Sequence, residues 1–350
     1  MKAAVYYGPG DIRVEEKPMP LIGDDDILIK VEASAICGTD LRIYKSGHHA
    51  VHPPQIIGHE SAGTVAKTGK NVEEFKVGDR VAIDPIVSCG WCYYCRRGIT
   101  NLCSTFKKTI ESFGYYYPGG FAEYMAIPGK AILRGNLIPI PESMSFEEAA
   151  IAEPMACALN GLLLARVGAG DTVLVIGAGP VGMMHAGLSR ILGATKVVLS
   201  EINHNRLEMA KKADIADYYI NPEEADLKEF LMKVTDSIGP DVIMIAAPSK
   251  SSQEESVQLV ANQGRICFFG GLPKNDYIAC LDSNLIHYKE IFVHGSSGAT
   301  TEQIRICIEF MGGKRIDGKK FITGTCSLDE IPEYMQEIAD GNHLKVVVKP

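Results

Sequence analysis

The chain has 350 residues, too long for one hydrophobic core, so about two domains are expected. Its formal charge of −8 argues against a general nucleic-acid binder, since affinity for phosphate backbones comes from lysine and arginine. With 46% hydrophobic and 22% charged residues, it has the composition of a soluble globular protein, neither disordered nor fibrous.

From the start, Met1 to Pro9 reaches a turn before any apolar segment of signal-peptide length, which points to a cytoplasmic protein. Residues 1–150 are dominated by short alternating or β-branched runs: Ile27–Glu32, Gly63–Ala66, Arg80–Ile83 and Phe121–Ile127. Gly78-Asp79 and Gly119-Gly120 supply turn chemistry between them. A mainly β domain with few helices follows.

Two groups of metal-binding residue types lie in this part. Cys37-Gly-Thr39-Asp40 and Gly58-His59-Glu60 place a thiol, an imidazole and a carboxylate within one short span, the donor set of a zinc site. Cys89, Cys92, Cys95 and Cys103 have the spacing Cys-x2-Cys-x2-Cys-x7-Cys within a lobe at 86–106. Four thiolates fill a tetrahedral shell and leave no open position, so such a zinc holds structure together. An iron–sulfur cluster or four unrelated buried cysteines are the other readings, and the spacing fits neither ferredoxin run well. Arg96 and Arg97 stand where they can offset the thiolate charge.

From about residue 151 to 287 the pattern changes to strands alternating with helices, the signature of an α/β doubly wound parallel sheet. The apolar region Leu162–Ala194 is interrupted by Arg166, Asp171, Pro180 and several glycines, so it is not a membrane span. It reads as a helix, a buried strand and a second helix. The strand leads directly into Gly177-Ala-Gly179-Pro180-Val181-Gly182, and in that context Gly-x-Gly-x-x-Gly is a strong dinucleotide signal. The glycines allow a tight turn and close approach of a pyrophosphate, which the helix N-terminus attracts.

Glu201 ends the next strand, 19 residues after Gly182, where an acid accepts from ribose hydroxyls and repels a 2′-phosphate. NAD is expected over NADP, although His204 and Arg206 could meet a phosphate. Strands at Asp217–Ile220, Asp241–Ala247 and Arg265–Gly270, with helices at Asp226–Val234 and Gln253–Ala261, complete the pattern. Residues 288–350 read as a strand at Lys289–Val293, a helix at Glu302–Met311, strands at Phe321–Thr323 and Lys345–Val348, and an amphipathic helix at Ile331–Ala339. This segment is expected to return to the first domain.

Taken together, Cys37-Gly-Thr-Asp, Gly58-His-Glu, Val77-Gly-Asp-Arg-Val, the four-cysteine lobe, Gly119-Gly-Phe-Ala-Glu-Tyr, Glu153-Pro and the glycine fingerprint resemble, in order, the zinc-dependent medium-chain alcohol dehydrogenases. Within that family the chain is most similar to the polyol branch typified by sorbitol (iditol) dehydrogenase, with threonine dehydrogenase a near relative. The resemblance implies a GroES-like catalytic domain, a Rossmann domain and an active site in the cleft between them. It carries Cys37, His59, Glu60 and Glu153 over as ligands or near-ligands of a catalytic zinc, with Cys89, Cys92, Cys95 and Cys103 on a structural zinc. Thr39 is carried over as the group that accepts the substrate proton.

A carboxylate at Glu153 suits the polyol branch. The implied activity is transfer of hydride between NAD and a secondary hydroxyl of a polyol or related small alcohol. A sugar-phosphate polyol dehydrogenase and an L-threonine 3-dehydrogenase are alternatives, and a non-catalytic dinucleotide-binding redox sensor is another. For an anionic substrate, Arg42, Lys45 or Arg134 would be the cation. Relatives form tetramers or dimers, so a homo-oligomer is implied.

Two positions depart from the polyol and threonine patterns. Arg42 replaces the usual relay histidine, with His48, His49 and His52 as substitutes. Ser296-Ser297-Gly298-Ala299 stands where sorbitol dehydrogenase has an Arg-Tyr pair.

Overall fold

The computed structural model describes residues 1–350 as two compact units, Met1–Ala156 with Ala299–Pro350, and Cys157–Gly298. The first unit is built on strand Ile27–Ala35, which pairs antiparallel with Glu60–Thr68. That sheet runs in the order Ile322–Cys326, Lys345–Val348, Ile27–Ala35, Glu60–Thr68, Arg80–Ile83, Leu137–Pro139, and Tyr124–Ile127 also pairs with Ile27–Ala35. A smaller sheet joins Asp11–Glu16, Lys2–Gly8 and Gln55–Ile56. One core lies inside the large sheet around Ile27, Ile29, Val65, Val81, Phe113 and Ile127. A second joins Val5, Tyr6 and Phe121 to Ile331, Met335 and Ile338, one stripe of the terminal helix Ile331–Asp340.

The register Ala35↔Glu60 is what positions the site. Cys37 follows one strand by two residues and His59 precedes the other by one. Strand Lys345–Val348 pairs with the same strand end through Val347↔Ala35 and Val348↔Ser34, so the far end of the sequence arrives beside them.

The sequence pattern misses helix Gly38–Ser46. It is short, and Cys37 at its N-cap replaces the usual Ser, Thr, Asp or Asn, although Asp40 completes a capping box by accepting from Cys37 N at 2.9 Å.

The second unit is a six-stranded, all-parallel sheet in the order Tyr218–Ile220, Lys196–Ser200, Thr172–Ile176, Val242–Ile245, Arg265–Phe268, Phe292–Gly295. Thr172–Ile176 is wholly buried, as a strand covered on both faces must be. The last strand lies later than Lys289–Val293, because Ser283–Tyr288 is helical and Lys289 caps it. It pairs in parallel with Arg265–Phe268, so the chain returns to the first unit at Ala299 and not at 288.

The return is fastened at Asp84, a buried carboxylate that accepts from Thr301 Oγ1 at 2.6 Å and Ile86 N at 2.9 Å. Burial raises its pKa from 3.8 to about 6 against the effect of those two bonds. A raised carboxylate pKa favours the protonated folded form, so this stabilisation is complete below about pH 4 and lost as pH rises through about 6. At about 1.4 kcal/mol per decade that is about 3 kcal/mol. The stability of Asp84→Asn relative to the parent should therefore rise by about that much from pH 4 to pH 7, read from denaturant unfolding at both pH values. A pH-independent difference would contradict the assignment.

Candidate functional site

Cys37, His59 and Glu60 offer ligand atoms that all lie within 4.8 Å of one another. His59 is held in place by its neighbour in sequence. Gly58 has φ +92°, and a Cβ there would meet the Phe121 ring at 2.6 Å, while Gly119 packs so tightly that its own Cβ would lie 2.2 Å from Gly58 O. The Gly119-Gly120-Phe121 segment thus clamps the peptide before His59, and only glycine fits.

Asp40, fully buried, connects the two ligand segments: it accepts from Cys37 N, and its other oxygen lies 3.3 Å from His59 Nδ1. No other partner reaches either of those two atoms. A carboxylate behind an imidazole assigns the proton to Nδ1 and leaves Nε2 as the metal donor. Burial opposes a charge on His59, but Asp40 and the Cys37 sulfur outweigh it and raise its pKa well above 6.5.

Behind the group is Lys345, 2% exposed, whose ammonium donates to both oxygens of Glu60 at 2.8 and 2.7 Å and to Ile36 O at 3.1 Å. Burial lowers its affinity for a proton, yet Glu60 and more distant Cys37 and Glu153 raise its pKa overall. Tyr115 lies against the group from another side, its ring 5.9 Å from that of His59. Burial lifts its pKa to about 12, so the phenol stays protonated. Glu153, in the first turn of helix Ala152–Leu164, is near enough to act on both Tyr115 and Lys345.

The reading of the sequence gives Asp40, Lys345 and Tyr115 no role at the site. For Asp40 a signal exists, an acid three residues after a helix-starting cysteine. For Lys345 and Tyr115 no local signal exists, since their partners are distant in sequence.

Thr39 Oγ1 accepts from Arg42 Nη2 at 2.8 Å. His48 is turned to Tyr115 and His49, with ring separations of 5.3 and 4.4 Å. Ser296 and Gly298 are tied to Asn160, whose Nδ2 donates to Ser296 Oγ at 3.1 Å and Gly298 O at 3.0 Å.

The four cysteines of the lobe are brought together as free thiols, with Cys89–Cys95 and Cys92–Cys103 sulfur separations of 3.9 and 4.0 Å. A tetrahedron of Zn–S bonds of about 2.3 Å has edges of about 3.8 Å, so the cage fits zinc. Backbone N–H groups of Cys95 and Ser104 lower the Cys92 pKa to about 6, a thiolate ready for metal. Arg134 belongs to this lobe: a Cβ on Gly90 would meet its guanidinium at 2.2 Å. Its expected place as a cation for substrate is therefore replaced by packing against the cysteine loop.

In the second unit Gly177 has φ +102° and donates to Ser200 O at 2.7 Å, while a Gly182 Cβ would lie 1.8 Å from Gly177 O. Gly179 caps helix Pro180–Ile191, with Pro180 at its first position and Val181 next. Glu201 accepts from Ala178 N at 2.7 Å and Asn203 N at 2.9 Å, which puts its carboxylate beside the glycine turn. Arg206 has a buried Nε without a partner, and His204 lies 3.4 Å from Glu224.

Residues 23–142 match the family profile described as an alcohol dehydrogenase GroES-like domain, and residues 180–312 that of zinc-binding dehydrogenases. A sorbitol dehydrogenase of Bacillus subtilis is 33% identical over 355 aligned positions, covering 100% of this chain and 97% of the relative. An L-threonine 3-dehydrogenase of Pyrococcus abyssi is 36% identical over 85% of this chain and 82% of its own. A structure assigned as a zinc-binding dehydrogenase of Sinorhizobium meliloti, bound to NADP, superposes with a TM-score of 0.90 at 31% identity, covering 100% of this chain and 99% of that one. No helix is long and apolar enough to cross a membrane. With a GroES-like first unit and a Rossmann-like second unit, the chain belongs to the zinc-type medium-chain alcohol dehydrogenases.

Proposed function

We propose that the protein oxidises a secondary hydroxyl of a polyol or related small alcohol to a ketone with NAD, and catalyses the reverse reduction. The observation that carries the zinc part is the Asp40-braced grouping of Cys37, His59 and Glu60, with Glu153 at hand. A thiolate, an imidazole and carboxylates suit a catalytic zinc, and four thiolates in the lobe suit a structural one. Cys37, His59 and the nearby carboxylates would hold a zinc ion supplying Lewis acidity toward a substrate oxygen, and a nicotinamide bound at the glycine turn would supply the hydride acceptor.

The chain's own residues do the rest. Asp40 keeps the Nδ1 proton of His59 in place, so Nε2 remains a lone-pair donor. Thr39 would accept the substrate proton while passing its own hydroxyl proton onward, so no net charge builds on Oγ1, and Arg42, which donates to that same oxygen, holds the hydroxyl in place. Tyr115 adds a neutral phenol that can donate to a neighbouring hydroxyl of a polyol. On the cofactor side, Gly177, Gly179, Pro180, Val181 and Gly182 form the turn and helix start for a pyrophosphate. Glu201, with both oxygens held by backbone N–H groups, presents fixed negative charge where an adenosine ribose binds.

Because Arg42 is a permanent cation at Thr39, a second reading is an anionic substrate such as a polyol phosphate. Substrate panels including polyols, their phosphates and threonine separate the two.

Cys37→Ser should fold normally and lose at least about a hundredfold in turnover together with one equivalent of zinc, whereas Cys103→Ser should lose the lobe metal and thermal stability first. Equal unfolding of both variants would argue against separate catalytic and structural sites. For cofactor choice, kcat/KM with NAD should exceed that with NADP by about tenfold or more, and Glu201→Gln should narrow the gap. NADP preference in the parent would overturn the NAD assignment.

A further inference from the structure

Lys345 spends its entire hydrogen-bonding capacity on this site. An ammonium has three donors, and here two go to the Glu60 oxygens and one to Ile36 O, the carbonyl just before Cys37. Both partners are buried, Lys345 at 2% and Glu60 at 0% exposure, so solvent can replace neither charge. Glu60 nonetheless has a carboxylate oxygen within 4.8 Å of the Cys37 sulfur and a His59 ring nitrogen, a distance at which all three can share one ion. Ammonium and metal therefore compete for one carboxylate.

We propose that Lys345 is a positioning residue that holds Glu60 back from the metal, keeping a potential ligand in reserve and a coordination position open for substrate. The proposal rests on the zinc reading of Cys37 and His59. Its physical basis is charge. One thiolate and one further carboxylate neutralise a divalent ion; direct ligation by Glu60 as well would leave the centre anionic and a weaker Lewis acid. Paired with Lys345, Glu60 is neutralised without the metal. Remove the ammonium and Glu60 becomes a buried unpaired carboxylate, a state costly enough that the nearby metal is its natural partner. Lys345 reaches the site through the pairing of its strand with Ser34 and Ala35, which ties the open position to the last strand of the chain.

The test uses cobalt in place of zinc in the full-length protein, because its visible bands report coordination number, with each variant compared with the parent so that the lobe contribution cancels. In Lys345→Met the bands of the Cys37–His59 site should weaken roughly twofold as a five-coordinate centre forms, and metal release to a chelator should slow by about tenfold. Lys345→Arg should restore the parent spectrum. The double variant Glu60→Gln/Lys345→Met, which leaves no buried charge unpaired, should match the parent spectrum, since Glu60 is off the metal in both. This comparison establishes whether Glu60 is off the metal in the parent. If Lys345→Met does not fold, Lys345→Gln, which also removes the charge, is expected to show the same weakened bands and slower release. A parent that differs from the double variant, or a folded Lys345→Met with an unchanged spectrum or faster release, overturns the proposal. Identical cobalt spectra for the parent and Cys37→Ser would instead remove the metal reading beneath it.

Discussion

The antiparallel register Ala35↔Glu60 is the constraint from which the candidate metal centre follows. It sets two strand ends side by side, one leading into Cys37 and the other leaving His59, and the side-chain geometry is then completed by Asp40 and the Gly58 turn. A slip of one residue would turn Glu60 to the opposite face of the sheet and away from the Cys37 sulfur. The flanking strands, Lys345–Val348 on one side and Arg80–Ile83 on the other, fix that register by pairing and by the buried core around Ile29, Val65 and Val81.

Electrostatics around this centre are arranged in pairs. Asp40 faces His59, and Glu60 faces Lys345, each pair buried and each holding charge in a definite place. Buried ion pairs contribute little net stability, because desolvation offsets attraction. What they contribute here is orientation: a tautomer at His59 and a fixed direction at Glu60. The lobe follows a different logic. Its cysteines sit on a short irregular loop, with backbone N–H groups of Cys89, Cys92 and Phe106 aimed at sulfur, so hydrogen bonds by themselves shape the cage.

The second unit shows the same economy in backbone form. Gly177 turns, Gly182 lets the helix approach the turn, and Glu201 fastens the Ala178 N–H, so an anionic side chain and a helix N-terminus of opposite sense stand next to one another. A helix N-terminus attracts anions, whereas a carboxylate accepts from hydroxyls, so the two groups offer opposite chemistry side by side.

Much of this was legible in the sequence. The strand-to-helix alternation and the glycine fingerprint identify the parallel sheet, because a buried parallel strand and a tight phosphate turn each demand a narrow set of residue types. The four-cysteine spacing points to its cage for the same reason, its ligands being local in sequence. What sequence could not supply was anything made by distant pairing. Arg134 belongs to the cysteine lobe, Phe292–Gly295 to the parallel sheet, and Tyr115 beside His59, each because of where another segment lies. Lys345 is the clearest instance: 285 residues from Glu60, in an apolar strand, it reads as an ordinary lysine until the sheet closes. Local chemistry is written along the chain; the partner of a buried charge is decided only when tertiary pairing removes water and leaves one group within reach.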